Sequence, residues 1–524
     1  MFRSNRRVFM SDVGRSMFAA GLGATLAENI GFSAAFAEQS SDSISLGKYE
    51  ALVELIRNTP AAKLQSIVAK MIISGETTLT QLTAASALAN AVTFGGCDYV
   101  GYHTAMAMLP ALELSRSLPN GRQPLPVLKV LYRNALQIQE VGTASQAALE
   151  AYADAEHSAE HATEGSLEIQ IRDACRRADT RRAERLLSTV VREPLDAFNA
   201  LQPAAQDDLN VHRYVFAHRV YGLVGLLGQE HANTILSQFV RFCADNERQR
   251  IERKQPASPI RAILPKLLDQ YKLVGKELGR RDPGDSVVET LAETIYQSSR
   301  EVAAEATAAA LAEGIDPEVV GEAISLASNL YVLRQGSDKW RTHGDSAGVH
   351  SSDATNAWRN MARTTDARHA IAGLVVAAYH AGIQEPPFQT PPYPTDEHRA
   401  QITADDCTKL LAETEDAIRS NDQGRATAAI AIYGERVGQD ARAAEPVLAL
   451  MRKYAVSEDG RLHGEKYYHT VVEEFHSTRP AFRWRHIVGL ARVTASAYGY
   501  NRTDQHGFRA AGYEEACELL GVEV

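Results

Sequence analysis

Sixteen histidines occur in the 524 residues, and several stand where an apolar helical pattern begins. Neutral imidazole binds first-row transition metals and exchanges protons near neutrality, so these positions are the first place to seek chemistry. His103 lies in Gly101-Tyr102-His103-Thr104, and His350 lies 247 residues later in Gly348-Val349-His350-Ser351. Further on, His212 and His218 have counterparts among His463, His469, His476 and His486. If the chain consists of two related halves, equivalent histidines could converge on a pseudo-two-fold axis and bind one metal ion or cofactor. The alternative for each one is a core histidine satisfied by a backbone partner.

The densest local set is His469-x3-Glu473-x2-His476. Each residue of a helix turns about 100°, so all three fall within about 60° on one face. Neighbouring imidazole and carboxylate ligands suit Fe, Mn or Zn, and Glu-x-x-His is the helical half-site of di-iron carboxylate bundles. Acids also precede histidines by three residues at Asp154/His157 and Asp366/His369, so this spacing alone is unspecific. Arg479-Pro480-Ala481-Phe482-Arg483-Trp484-Arg485-His486 gathers arginine forks that could grip a carboxylate, or stack and pair structurally. A polar stripe of Glu150, Asp154, His157, His161 and Glu164 reads as a solvated helix face. Gly344-Asp345-Ser346-Ala347-Gly348 has the form of a nucleophile elbow, but no hydrophobic strand precedes it to force the serine onto a sharp turn. The region from Ser337 to Thr364 reads as a polar insertion, either a lid or a surface excursion.

The elements that must position these residues are helices. From Leu46 onward apolar residues recur at three- and four-residue spacing, Ala-rich runs such as Val302 to Ala312 favour helix, and no segment sustains period-two alternation. The expected fold class is all-α. A duplicated pattern runs through it. Comparing Leu52–Asn90 with Leu291–Asn329 gives eight identities in 39 positions, among them Gly75/Gly314, Ser86/Ser325 and Asn90/Asn329, where composition alone gives roughly three. The join falls near Gly279 to Gly284, giving expected halves of 38–280 and 281–524, with insertions near 337–364 and 456–485 in the second. Gly75 and Gly314 are expected to close helices in the left-handed conformation.

Composition narrows the partners. A net charge of −10 without a long basic block gives no footprint for nucleic acid or an anionic membrane surface. Five cysteines, none in Cys-x-x-Cys spacing, support neither a zinc ribbon nor a disulfide framework. Asn5-Arg6-Arg7-Val8-Phe9-Met10, followed by a modestly apolar stretch and Ala35-Phe36-Ala37, resembles a twin-arginine export signal covering residues 1–37. That route carries proteins folded before export, often with a cofactor already inserted. No other stretch is apolar enough to span a membrane, so a periplasmic or secreted location without a transmembrane segment is expected.

Gly101-Tyr102-His103-Thr104-Ala105-Met106-Ala107-Met108-Leu109-Pro110 resembles a segment of the questin-oxidase-like proteins, in which a His and a hydroxyl residue open a helix that runs into a Leu-Pro turn. Asn210-Val211-His212 to His218 is similar to paired helix-opening histidines of the same family. The resemblance covers about a third of the chain. It implies an oxygen-using oxidoreductase acting on an aromatic polyketide-like substrate with NADPH, although an exported enzyme would need another electron donor.

The sequence therefore leads to an exported, helical, oxidoreductase-like protein with a histidine-lined pocket for a transition metal: Fe, Mn, Cu or Zn. His103, His212, His218, His350, His469, His476 and His486 are the candidate ligands. Glu473 would complete the shell or move protons, and Arg479 or Arg483 would orient an acidic small-molecule substrate. The rival is a non-catalytic helical scaffold with scattered structural histidines and an exposed apolar groove.

Overall fold

A computed structural model describes residues 46–141, 165–336, 346–382, 388–499 and 511–523. The export-signal region and the stripe from Glu150 to Glu164 lie outside the described residues, as do Gly344 and Asp345. Helices account for the regular structure of the described residues, and the only sheet-like pairing among them is a lone bridge between Arg281 and Ile315. The all-α expectation holds. Among the described residues, no helix is long and apolar enough to cross a membrane.

Nine helices frame the centre of the molecule: Leu79–Phe94 (α1), Tyr99–Arg116 (α2), Pro124–Val141 (α3), Val211–Leu227 (α4), Ala232–Glu252 (α5), Pro317–Arg334 (α6), Ala347–Thr364 (α7), Arg461–Ser477 (α8) and Trp484–Ala497 (α9). Helices α2, α4, α7 and α8 pack in a closed square, α2 on α4, α4 on α7, α7 on α8 and α8 on α2. The other five pack around this square. Glycine permits one close approach: a Cβ on Gly222 of α4 would stand 2.7 Å from Leu109 Cδ1 of α2.

Local sequence explains the helix starts. Asp98 caps α2 by accepting from Gly101 N, Asn210 caps α4 through His212 N, and Ser346 caps α7 through Val349 N. Each such cap contributes about 1 kcal/mol. Helix α8 has no side-chain cap, and Arg461 at its first residue has φ 47°, a conformation costing a non-glycine roughly 1–2 kcal/mol. Gly75 and Gly314 end helices with φ 77° and 81°, as their spacing predicts.

Two expectations fail here. Ala347–Thr364 is no polar excursion; it is α7, with thirteen of its residues from Gly348 to Met361 buried. Its polar groups are paired inside the protein, Asp353 with Thr470 and both Asn356 and Arg359 with Glu474. Loop-like composition thus reflects interior partners that sequence cannot display. The Leu-Pro turn is also absent, because Pro110 sits within α2.

The main hydrophobic core runs from Tyr49 to Ala516 and takes side chains from both sides of residue 280. A buried ion pair, Lys129 Nζ to Glu465 Oε1 at 2.8 Å, joins α3 to α8 across that position.

Candidate functional site

All four helices of the square begin at the same end, and each delivers one histidine there: His103 from α2, His212 from α4, His350 from α7 and His463 from α8. Their ring centroids close a quadrilateral, with His103 to His212 at 4.6 Å, His212 to His350 at 5.9 Å, His350 to His463 at 5.5 Å and His463 to His103 at 5.9 Å.

Three of the imidazoles are oriented through Nδ1. His103 Nδ1 stands 2.6 Å from Tyr99 O, His350 Nδ1 2.9 Å from Ser346 O, and His212 Nδ1 3.1 Å from Asn210 Oδ1. The Asn210 amide is turned by Nδ2 donating to Asn246 Oδ1, so its oxygen faces the imidazole. A carbonyl oxygen only accepts, so Nδ1 carries the proton and Nε2 keeps its lone pair. The Nε2 atoms of His103 and His212 are buried without a hydrogen-bond partner.

The position of His103 is locked from behind. Asn90 on α1 donates to Gly101 O and Thr104 Oγ1, and to Asn134 Oδ1 on α3; Asn134 in turn donates to Ser86 O and Oγ. Tyr102 stacks on His103 with centroids 4.9 Å apart and meets Phe242 of α5 edge-on. Tyr99, 63% exposed, lies 4.3 Å from His103 and marks the solvent side of the ring. A narrow, partly open cleft of about 20 Å³, lined by Tyr454, Asp459, Tyr467 and Leu490 among others, reaches His463.

Burial keeps two members of the ring neutral. Burial, reinforced by Lys466, lowers His103 to about 3, and burial with His103 and Lys466 nearby lowers His212 to about 2. The four converging helix N-termini, each a partial positive charge, act in the same sense.

Below the ring the helical spacing sets successive layers: Met106, Val215, Asp353 and Lys466; then Pro110, Arg219, Ala357 and Thr470; then Glu113, Gly222, Asn360 and Glu473. Lys466 is buried, and burial lowers its ammonium to about 8 against the opposing pull of Asp353. In the lowest layer His469 stands 3.5 Å from Glu113 and 3.7 Å from Glu473. Burial pushes the Glu473 carboxyl up, but His469, Arg219 and His218 outweigh it and hold it at about 2.

The ring therefore unites His103, His212 and His350 with His463, which the candidate ligand set lacked. Its signal was present: His212-x5-His218 repeats as His463-x5-His469, both pairs at an offset of 251. Other candidates lie elsewhere. His469 and Glu473 belong to the lower layer, where His218 contributes to the field on Glu473. His476 is exposed and meets the edge of Phe475. It stands thirteen residues, about 20 Å of helix, from His463. His486 is buried beside Thr478 Oγ1 at 3.1 Å. Arg479 is committed to Glu322, Asp285 and Asp282. Arg483 donates to Thr478 O and lies over Phe475. Arg479, Arg483 and His486 make these contacts at the α8–α9 corner and, like His476, lie outside the histidine ring. Ser346, the central residue of the elbow-like motif, is a buried helix cap.

As placed, no three His, Cys, Asp or Glu side chains among the described residues stand in ion-binding geometry. Imidazoles sharing an ion at 2.0–2.1 Å would have ring centres roughly 4.5–5.2 Å apart. The observed quadrilateral is wider than this on three sides, at 5.9, 5.5 and 5.9 Å. The chain matches no known protein family, curated protein or solved structure.

Proposed function

We propose that the protein is an exported oxidoreductase whose ring of His103, His212, His350 and His463 holds one transition-metal ion and receives a small-molecule substrate beside it. One observation carries this reading: four imidazoles converge from four helices, three with Nδ1 fixed by an oxygen so that Nε2 is the lone-pair nitrogen. Metal-ligating histidines are oriented in this way, with the second nitrogen donating to a carbonyl or carboxylate. Three or four imidazoles suit Fe, Mn, Cu or Zn, and the bound ion would supply Lewis acidity or one-electron chemistry there.

The chain's own residues do the remaining work. Asn90, Asn134 and Asn210 fix the imidazoles, and Tyr99 and Tyr102 cover the ring on one side. The helix N-termini favour an anionic substrate oxygen. The likeness of His103-Thr104 and His212 to questin-oxidase-like proteins supports oxygen-dependent oxidation, with an electron donor other than NADPH. The twin-arginine-like start supports loading before export. The matching i to i−4 contacts of His103 and His350, 247 residues apart, support the duplication.

Elemental analysis of the mature protein, collected from the exported fraction, tests this. Near-stoichiometric iron, manganese, copper or zinc that disappears in His103→Ala and His350→Ala is the expected result. A metal-free protein, with both variants folded, overturns it.

A further inference from the structure

The lowest layer of the square contains ionisable groups for which the ring has no use. His469 lies between two carboxylates, with Nδ1 toward Glu113 and Nε2 toward Glu473. The Glu113 side chain is 49% exposed, whereas that of His469 is 9% exposed, so the imidazole crosses the wall of the bundle from solvent to interior. A neutral imidazole donates through one nitrogen only, and its lone pair then faces the other carboxylate, a contact that a purely structural side chain would avoid. A carboxylate on each nitrogen does suit proton transfer, one nitrogen taking a proton as the other releases one.

Polar groups flank His469 along α8. Asn360 donates to Glu473 Oε2 at 2.8 Å, and Thr470 Oγ1 donates to Asp353 Oδ1 at 2.8 Å. Lys466 lies one turn higher, beneath the histidines. The groups facing this column are Glu113 from α2, His218 and Arg219 from α4, Asp353 and Asn360 from α7, and Lys466, His469 and Glu473 from α8. The Arg219 guanidinium offsets the carboxylates. The step from Glu473 to Thr470 spans one turn, about 4.5 Å of rise, which one water with polar neighbours closes.

The geometry points to Glu113, His469 and Glu473 as the solvent end of a proton route that climbs through Thr470 and Asp353 to Lys466 and serves the histidine ring. The route rests on the ring being the reactive centre. The transfer balances without electrons. An N–H bond of the Lys466 ammonium breaks as an O–H bond forms on a substrate oxygen. The amine regains a proton from the Asp353 side. His469 releases one at Nε2 toward Glu473 and takes one at Nδ1 from Glu113, which solvent reprotonates. Burial lowers both Lys466, to about 8, and His469, the latter against the pull of Glu473 and Glu113.

The test uses the mature chain loaded with cobalt(II), whose visible bands respond to charge beside the ion, in a stopped-flow jump from pH 8.5 to 6.5. The expected result is a spectral relaxation slowed at least tenfold in Glu113→Gln and His469→Gln, with unchanged cobalt affinity and final spectrum. Added imidazole should restore the rate in His469→Ala. Bound cobalt whose spectrum ignores the jump, or relaxes equally fast in the exposed-site variant Glu113→Gln, overturns the route alone. Failure of the wild type to bind cobalt overturns the ring reading, and the route falls with it.

Discussion

Helices α2 and α4 treat the layer under the histidines differently from α7 and α8. At equivalent helical positions the first pair places Met106 and Val215, and the second pair Asp353 and Lys466. Six residues further on, Leu112 of α2 contrasts with Arg359 of α7, which is 1% exposed and bound to Glu474. A shared frame thus brings four imidazoles together, while in the layer directly beneath them the charged side chains come from α7 and α8 alone. Ionic groups inside a protein rarely add net stability over apolar ones of similar size. In that layer Asp353 and Lys466 therefore mark the side of the bundle where the proposed proton chemistry is expected.

The largest effect should come from the feature both pairs share. Replacing His212 or His463 with Ala should lower metal affinity by more than the roughly 10–100-fold typical of losing a residue that merely orients a ligand, as read by equilibrium competition with a chelator. Equal loss at both positions supports the ring, and loss at only one breaks the equivalence of the two pairs.

Next comes the buried pair. Arg359→Met leaves Glu474 charged without its guanidinium partner and should destabilise the fold by about 3–5 kcal/mol in denaturant unfolding, whereas Leu112→Met on the apolar side should cost under about 1.5 kcal/mol. Similar losses would remove the contrast.

Acid should act on the shared layer. His103 and His212 have folded-state values of about 3 and 2, below the 6.5 of an unfolded imidazole. The unfolded chain then binds protons that the folded chain does not, so stability is full above pH 6.5 and falls as pH drops toward 3. Each imidazole contributes a slope of up to about 1.4 kcal/mol per pH unit. His103→Gln should flatten the curve of unfolding midpoint against pH, and an unchanged curve refutes the assignment.

The smallest effect sharpens the comparison most. The double variant Asp353→Val/Lys466→Met copies the apolar layer onto α7 and α8, and should change stability by no more than about 1 kcal/mol while abolishing the pH-jump relaxation of cobalt-loaded protein. A large loss of stability would make the charged layer structural.

Part of this architecture is written locally in the chain. Three- and four-residue apolar spacing specifies helix wherever it recurs, and a glycine such as Gly75 or Gly314 ends one because only its backbone takes positive φ without strain. Asp98, Asn210 and Ser346 act within three residues, so their capping roles follow from sequence. His103 and His350 could be paired by register alone, and the repeated His-x5-His spacing held His463 as well. Which histidines meet was decided by the fold. His463 and His476 share one helix and one residue type, yet about 20 Å of helix separates them, and only packing of α8 against α2 and α7 sets which end carries the ring. Arg479 read as a substrate fork because its partners, Glu322, Asp282 and Asp285, become neighbours only in the folded corner. The polar run of α7 read as a loop for the same reason. Local rules fix the backbone a few residues at a time, while the partner that neutralises a buried charge lies more than a hundred residues away and enters only through tertiary contact.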